Sequence, residues 1–331
     1  MFKIYVPSTR NSVDYYVRVI KMAIESIGEP VEWIDDTSSI TKEDIVITIE
    51  PLDAYKAWKK KPKKMVFWFQ GVIPEQVKYY SKRPKIVVWG ATLWCDFVEW
   101  YMLKRSDFNF FVSKAMVTHY QKKYGYNKDN YLVMPCFNAQ ISKDAFSDEK
   151  YSNPKFLYSG NALGWQCFPE IVSLFKQIKE TLIPDAEFKV LSNDEELIKQ
   201  ELQRQGVQAE VKYVPYTEFD SEVRDVKYGF LIRQDNAVNN VATPTKMSSY
   251  LANGIIPIFS DVIGDFREEL NGLSYAVPLG VNNEGIDKIV SLEKNKIEGI
   301  KVYEDFMTVY NRYYNTDYYI KLIGDVFKKW I

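Results

Sequence analysis

Residues 228–259 read YGFLIRQDNAVNNVATPTKMSSYLANGIIPIF. Tyr228–Ile232 is an uncharged aromatic and branched run of strand length, and Ile255–Phe259 is a second one. Between them, Lys246–Ala252 carries helix-forming residues bracketed by Pro244 and Gly254. Proline suits the first turn of a helix, where its missing N–H would have no partner. Glycine suits the left-handed residue that ends one. Strand, helix and strand in this order form a βαβ unit, the building block of a parallel sheet.

The alternation extends outward in both directions. Upstream within the second half lie strand Lys155–Tyr158, helix Gln166–Thr181, strand Glu187–Leu191, helix Glu195–Gln205 and strand Glu210–Tyr213; a short strand near Tyr275–Val277 follows. The first half offers strands Phe2–Val6, Val31–Ile34, Ile45–Ile49, Met65–Phe69, Ile86–Val88, Phe108–Val112 and Tyr131–Val133. Apolar residues at three- and four-residue intervals mark helices at Val13–Ile27, Phe97–Leu103 and Lys114–Lys123. Polar residues over Asn138–Asn153 read as a linker, and Val302–Trp330 as one long aromatic-rich helical tail. The expected fold class is therefore α/β, with two consecutive doubly wound units.

Length and composition agree with this. A chain of 331 residues exceeds one α/β core of usual size. Its 46% hydrophobic and 26% charged residues are ordinary for a folded soluble protein. A net charge of −1 argues against nucleic acid as a partner. The three cysteines, Cys95, Cys136 and Cys167, form no C-x-x-C pair, so neither a zinc site nor a disulfide framework is signalled, and small buried hydrophobes are expected. The N-terminal MFKIYVPSTR does not read as a signal peptide, and no stretch is expected to reach the length of a membrane span. A cytoplasmic chain is expected. Lysines crowd 56–64, followed by Lys82, Arg83 and Lys85. These read either as solvated turns or as a patch that holds the chain against the anionic inner face of a membrane.

Ligands of open parallel sheets sit beyond the carboxyl ends of the strands, so the turns there are the candidates for chemistry. The turn Tyr158–Gln166 contains Ser159, Gly160 and Asn161 and precedes a helix, but it is neither G-x-G-x-x-G nor a P-loop. Arg233 follows a buried strand directly. Lys246 falls in the first turn of a helix, where a cation opposes the helix dipole. Either Lys246 faces a bound anion or it points to solvent. The single histidine, His119, falls mid-helix and reads as structural or superficial. Glu75 and Glu99 read as surface carboxylates or as groups that orient an acceptor.

The segment Pro244–Pro257 resembles the P-x-K-x-x-E-Y-L-A-x-G-x-P signature of retaining GT-B glycosyltransferases, most of all those of bacterial capsule and surface-polysaccharide clusters. Val66–Glu75, Phe111–Met116, Met134–Asn138 and Tyr158–Gln166 extend the similarity. The resemblance implies two Rossmann-like domains facing a central cleft: an acceptor-side domain over 1–150, a nucleotide-sugar domain over 151–305, and a helix over 306–331 packing back on the first. It implies transfer of a sugar from a nucleotide diphosphate sugar to a saccharide or lipid-linked saccharide, without a metal or other cofactor. Arg233 and Lys246 would then be the catalytic residues, neutralising the diphosphate. Ser159, Gly160, Asn161, Gln166, Thr245 and Ser249 would line the donor site, Tyr216 would lie near the base, and Gln70 and Gly71 near the transferred sugar or acceptor. Two departures stand out. Ala242 and Ser249 replace a pair of glutamates, and Asn161 and Gln166 replace an Arg and a Lys. They leave open a non-catalytic partner or scaffold subunit, or an epimerase or phosphorylase on the same scaffold.

Overall fold

In the computed structural model, residues 1–7, 11–280, 282 and 284–331 are described. They form two compact units. The first comprises Met1–Asn138, Asn240–Thr243 and Asn315–Ile331, and the second Ala139–Asn239 and Pro244–Tyr314.

The first unit holds β1 (Phe2–Tyr5), α1 (Asn11–Ser26), β2 (Val31–Ile34), β3 (Ile45–Thr48), α2 (Pro51–Trp58), β4 (Lys64–Phe69), α3 (Ile73–Tyr80), α4 (Lys85–Arg105), β5 (Phe108–Phe111), α5 (Lys114–Tyr124) and β6 (Tyr131–Val133). Its strands are all parallel, in the order β2-β1-β3-β4-β5-β6. Strands covered on both faces read as continuous apolar runs rather than alternating ones. So β1, β3 and β5 are buried at every position. The one charged residue of β1, Lys3, is buried too, with its ammonium 3.4 Å from Asp44.

The second unit holds β7 (Lys155–Ser159), α6 (Phe168–Thr181), β8 (Glu187–Leu191), α7 (Glu195–Gln205), β9 (Glu210–Lys212), α8 (Phe219–Glu222), β10 (Tyr228–Leu231), α9 (Ala237–Asn240, its last residue grouped with the first unit), α10 (Lys246–Ala252), β11 (Ile256–Ser260), α11 (Gly264–Glu269), β12 (Val277–Leu279), α12 (Asp287–Lys294) and α13 (Gly299–Arg312). These strands are parallel too, in the order β12-β11-β10-β7-β8-β9. The α/β expectation of two doubly wound sheets holds.

Five local expectations do not. Ile86–Val88 is not a strand but the first turn of α4, which begins after Pro84 and runs for 21 residues through Phe97–Leu103. The helix contains no proline and Gly90 does not break it, and by length and composition it is long and apolar enough to cross a membrane, against the expectation that no stretch would be. The tail is two helices, α13 and α14 (Thr316–Lys328), because the Asn315 side chain accepts from Tyr318 N and starts a new helix. The polar stretch Asn138–Asn153 is not an open linker. Its Lys150 ammonium donates to the carbonyls of Val223, Arg224 and Asn253, at the ends of α8 and α10, and Tyr151 donates to Gly254 O. Finally, Cys136 and Cys167 are buried as expected, but Cys95 is only half-buried.

In the first unit, α14 lies on α1, with the Phe327 ring 5.2 Å from that of Phe2. Beside β4, the two carboxylates read as superficial are drawn inward. Glu99 is 1% exposed and accepts from the hydroxyls of Tyr120 (2.8 Å) and Tyr124 (2.9 Å). Tyr124 also donates to Asp96, so its single proton serves two carboxylates. Lys123 lies 2.7 Å from both Glu75 and Asp96, and His119 Nε2 is 3.4 Å from Glu75. Burial would raise both glutamates. At Glu75 the contacts from His119 and Lys123 outweigh it and hold the carboxyl at about 2. At Glu99 burial wins over Lys123 and the two phenols, and the carboxyl is pushed up to about 7.

A carboxyl whose folded pKa lies above its unfolded value binds its proton more tightly in the native state, so stability falls as pH rises between the two. For Glu99 that window runs from 4.5 to about 7. The native protein is therefore expected to lose on the order of 2–3 kcal/mol across the window through this group. Glu99→Gln, which mimics the protonated form, should remove that part of the slope. Thermal unfolding against pH checks this, and identical slopes in the two proteins would show that Glu99 is ionised throughout.

Candidate functional site

In the second sheet β7, β8 and β9 are laid down in one direction and β10, β11 and β12 in the other, so the chain reverses between β7 and β10. At such a switch point the two loops that leave the carboxyl ends diverge and open a crevice. The loops in question are Ser159–Gln166 after β7 and Ile232–Asn236 after β10, the two turns singled out in the sequence.

The first loop is held from below. Ser159 ends β7, paired with Leu191, and Gly160 N donates to Leu191 O at 2.9 Å. Asp194 accepts from Ala162 N, and the Tyr158 hydroxyl donates to the Asn161 carbonyl at 2.6 Å. A short 3-10 turn, Gly164–Gln166, then leads to Cys167, which adopts a left-handed conformation (φ 53°) and opens α6. Gln166 is thereby presented at the positive end of a 14-residue helix.

Arg233 is 7% exposed. Its backbone N–H donates to Ser260 Oγ at 2.9 Å, and its guanidinium donates to Ile232 O at 2.9 Å and to Gln166 Oε1 at 3.1 Å. Lys246 opens α10, and its ammonium donates to the same Gln166 Oε1 at 2.5 Å. It also lies 4.8 Å from the centre of the Tyr158 ring, within cation–π range. One amide oxygen thus holds two cations side by side. Lys246 is half-buried, and its ammonium lies against Gln166 and the Tyr158 ring. Burial first, and then the charge of Arg233, press its pKa well below the ordinary lysine range. Among the described residues no carboxylate forms an ion pair with it. The arrangement is a preformed pair of cations at the switch point.

The remaining candidates fall in three places. Thr245 precedes Lys246, and its carbonyl accepts from Ser249 N; Ser249 is buried one turn further along α10. Tyr216 stands exposed after β9, two strands away from β7, and is not among the residues gathered around Gln166. Gln70 and Gly71 follow β4 in the first unit. Gln70 Oε1 accepts from Tyr16 at 3.4 Å, Gln70 Nε2 is buried without a partner, and Gly71 O lies 3.4 Å from the Tyr120 hydroxyl.

Gln166, expected to line the donor site although it departs from the family pattern, is the common acceptor of both cations. Tyr158, Asp194 and Ser260 carry no sequence signal for their supporting contacts. Tyr158 reads as the last apolar residue of a strand, and only the fold turns its ring toward Lys246.

No protein-family model and no curated protein sequence matches the chain. Solved structures do. A glycosyltransferase from Rickettsia africae aligns over 99% of this chain and 97% of its own, at 15% identity and a TM-score of 0.67. The apo lipopolysaccharide outer core galactosyltransferase WaaB aligns over 99% and 100%, at 15% identity and 0.62. A point mutant of S. aureus TarM, in complex with Fondaparinux, alpha-GlcNAc-glycerol and UDP, aligns over 85% and 54%, at 12% identity and 0.60. The chain thus spans about half the length of TarM and nearly all of the other two. The likeness establishes the fold: two Rossmann-like units of the GT-B class.

Gly160 has φ 153°, and a Cβ placed there would collide with Lys246 Nζ. Gly160→Ala is therefore expected to destabilise the protein by on the order of 1–3 kcal/mol and to push Lys246 off Gln166. Calorimetric titration with inorganic pyrophosphate, beside thermal unfolding, reads both effects. Unaltered pyrophosphate binding in a destabilised variant would mean that Lys246 does not need its place beside Gly160.

Proposed function

We propose that the chain is a glycosyltransferase that takes a sugar from a nucleotide diphosphate sugar and gives it to a saccharide or lipid-linked saccharide in surface-polysaccharide synthesis. The observation that carries the reading is the pair Arg233 and Lys246 on one Gln166 oxygen at the sheet's switch point. Breaking the bond between the sugar's anomeric carbon and the terminal phosphate oxygen leaves the electron pair, and a growing negative charge, on the diphosphate. Fixed cations in a water-poor site stabilise that charge more as it develops than in the ground state. The solved complex of TarM with UDP supports a nucleoside diphosphate as the ligand class.

On this reading no divalent metal is required, because Arg233, Lys246 and the start of α6 meet the charge. The similarity to retaining enzymes supports retention at the anomeric carbon. The chain would work in the cytoplasm at the inner face of the membrane, with lysines 56–64 toward anionic lipid.

Ala242 and Ser249, where relatives carry glutamates, favour a second reading: a homologue that binds the nucleotide without turning it over, as a partner or scaffold subunit. Product analysis separates the two, since free nucleoside diphosphate with a glycosylated acceptor requires catalysis. An epimerase or phosphorylase would convert the donor without an added saccharide acceptor.

Losing a charge-assisted contact to phosphate removes roughly 1.5–3 kcal/mol of binding. Arg233→Ala and Lys246→Met should therefore each weaken nucleoside diphosphate binding by about tenfold or more. A lysine with a depressed folded pKa opposes folding while it is charged, so Lys246→Met should also raise the melting temperature of the free protein at neutral pH. Parent-like binding by both variants in a UDP, GDP, dTDP and CMP panel would remove the site assignment.

Activity should survive EDTA. Turnover lost on chelation and restored by Mg²⁺ or Mn²⁺ would place a metal on the diphosphate instead.

A further inference from the structure

Helix α4 packs on α2 and α3, and its amino-terminal half turns an apolar face to the surface. From Ile86 to Cys95 the helix has no charged residue. Ile86 (73% exposed), Trp89 (62%), Leu93 and Phe97 (52%) follow one another at three- and four-residue steps, with Trp94 beside them, half exposed. A soluble surface seldom carries such a run, and a contiguous exposed apolar face marks an interaction site. Beside the helix lies a cavity of about 380 Å³ lined by the apolar Leu52, Ile73, Trp94 and Val98, with Glu50, Asp53 and Lys56 at its charged side.

Charge decides what covers this face. Lys82, Arg83 and Lys85 stand at one end of α4 and Lys104 and Arg105 at the other, and none of them is in an ion pair among the described residues. The lysine-rich segment lies at the second end, because the Trp58 ring packs edge-on against Tyr101 at 5.2 Å and Lys59 sits over Tyr55. A second copy of the chain, paired through a two-fold axis along this helix, would set basic end against basic end in either direction. An anionic surface meets every one of these charges favourably. Tryptophan between apolar and basic residues is the composition favoured at the headgroup level of a bilayer.

Geometry limits the depth. Val98, Glu99, Met102 and Leu103 are buried in the first unit, and Glu99 is held by Tyr120 and Tyr124. Within Lys85–Phe97 only one face is exposed, since α4 packs on α3 and Asp96 is held by Tyr124 and Lys123; the stretch is about 20 Å of helix at 1.5 Å per residue. That is short of the ~30 Å hydrocarbon core, so the helix enters one leaflet and does not cross.

We infer that the exposed half of α4, Ile86 to Phe97 with its flanking basic residues, seats the protein in the surface of a membrane containing anionic lipid. The site lies in the first unit and binds without substrate, so its test is independent of the sugar-transfer reading.

The full chain is floated with vesicles of phosphatidylcholine alone and of phosphatidylcholine with phosphatidylglycerol. Binding to the anionic vesicles only, released by high salt, is expected. Trp89→Ser with Trp94→Ser and Phe97→Ser should cut the bound fraction by about tenfold or more, and Lys82→Glu with Arg83→Glu and Lys85→Glu should abolish the preference for anionic lipid. Circular dichroism confirms that these surface variants fold. Quenching of the unmodified chain's tryptophan emission by brominated lipid tests insertion without any substitution. The inference fails if the chain stays with the soluble fraction, if it binds both vesicle types equally, or if the apolar triple variant floats like the parent. A concentration-dependent dimer abolished by that variant would assign the face to a second copy instead.

Discussion

Two like charges held on one neutral oxygen are the constraint around which the second unit is organised. Gln166 Oε1 accepts from both Arg233 and Lys246, and an amide dipole offsets only part of two unit charges. The other buried lysines show how this chain ordinarily treats such a group. Lys189 has Glu222 at 2.6 Å, Lys227 has Glu293 at 2.6 Å, and Lys3 has Asp44. Lys150 has three carbonyls and no close carboxylate, and burial brings it down to about 7. Lys246 has one amide oxygen and an aromatic face, so it retains the strongest electrostatic reason to bind an anion.

Such a pair persists only if the frame around it is stiff. Both cations leave the ends of central elements: Arg233 follows β10 and is tied through its backbone to Ser260 at the end of β11, and Lys246 opens a helix buried over six of its seven residues. Gly160 passes so close to the ammonium that a side chain there would displace Lys246. A site on rigid elements keeps its charges converged before a ligand arrives, so little of the interaction is spent on reorganisation.

The first unit has the opposite electrostatics. Glu75, Asp96 and Glu99 share Lys123, His119 and two tyrosine hydroxyls in one network behind β4. This network anchors α4 through Asp96 and Glu99; Val98, Glu99, Met102 and Leu103 are buried, whereas Ile86, Trp89, Leu93 and Phe97 turn to the surface. Tyr120 also reaches the carbonyl of Gly71 at 3.4 Å, so the turn after β4 rests on the same network.

Most of the architecture was legible from pattern. Apolar runs of strand length, helical periodicity and turn residues located eleven of the twelve strands among the described residues to within one residue at each end, and the strands Val31–Ile34, Tyr131–Val133 and Glu187–Leu191 and the helix Lys246–Ala252 to the residue. The twelfth, β12, was displaced by two. These signals are local, and a buried parallel sheet writes them plainly. Arg233 and Lys246 were legible as well, because a cation after a buried strand and one in a first helical turn are each locally out of place. Ile86–Val88 misled because three branched residues look alike in a strand and in an apolar helix, and length alone decides between them. Asn138–Asn153 misled because polar residues signal a loop whether they meet solvent or, like Lys150, the carbonyl ends of distant helices. Partnership between residues far apart in the chain was decided only by the tertiary structure. The join of Gln166 to Arg233 and Lys246 spans 67 and 80 residues, and no periodicity encodes a contact that exists only once β7 and β10 lie side by side.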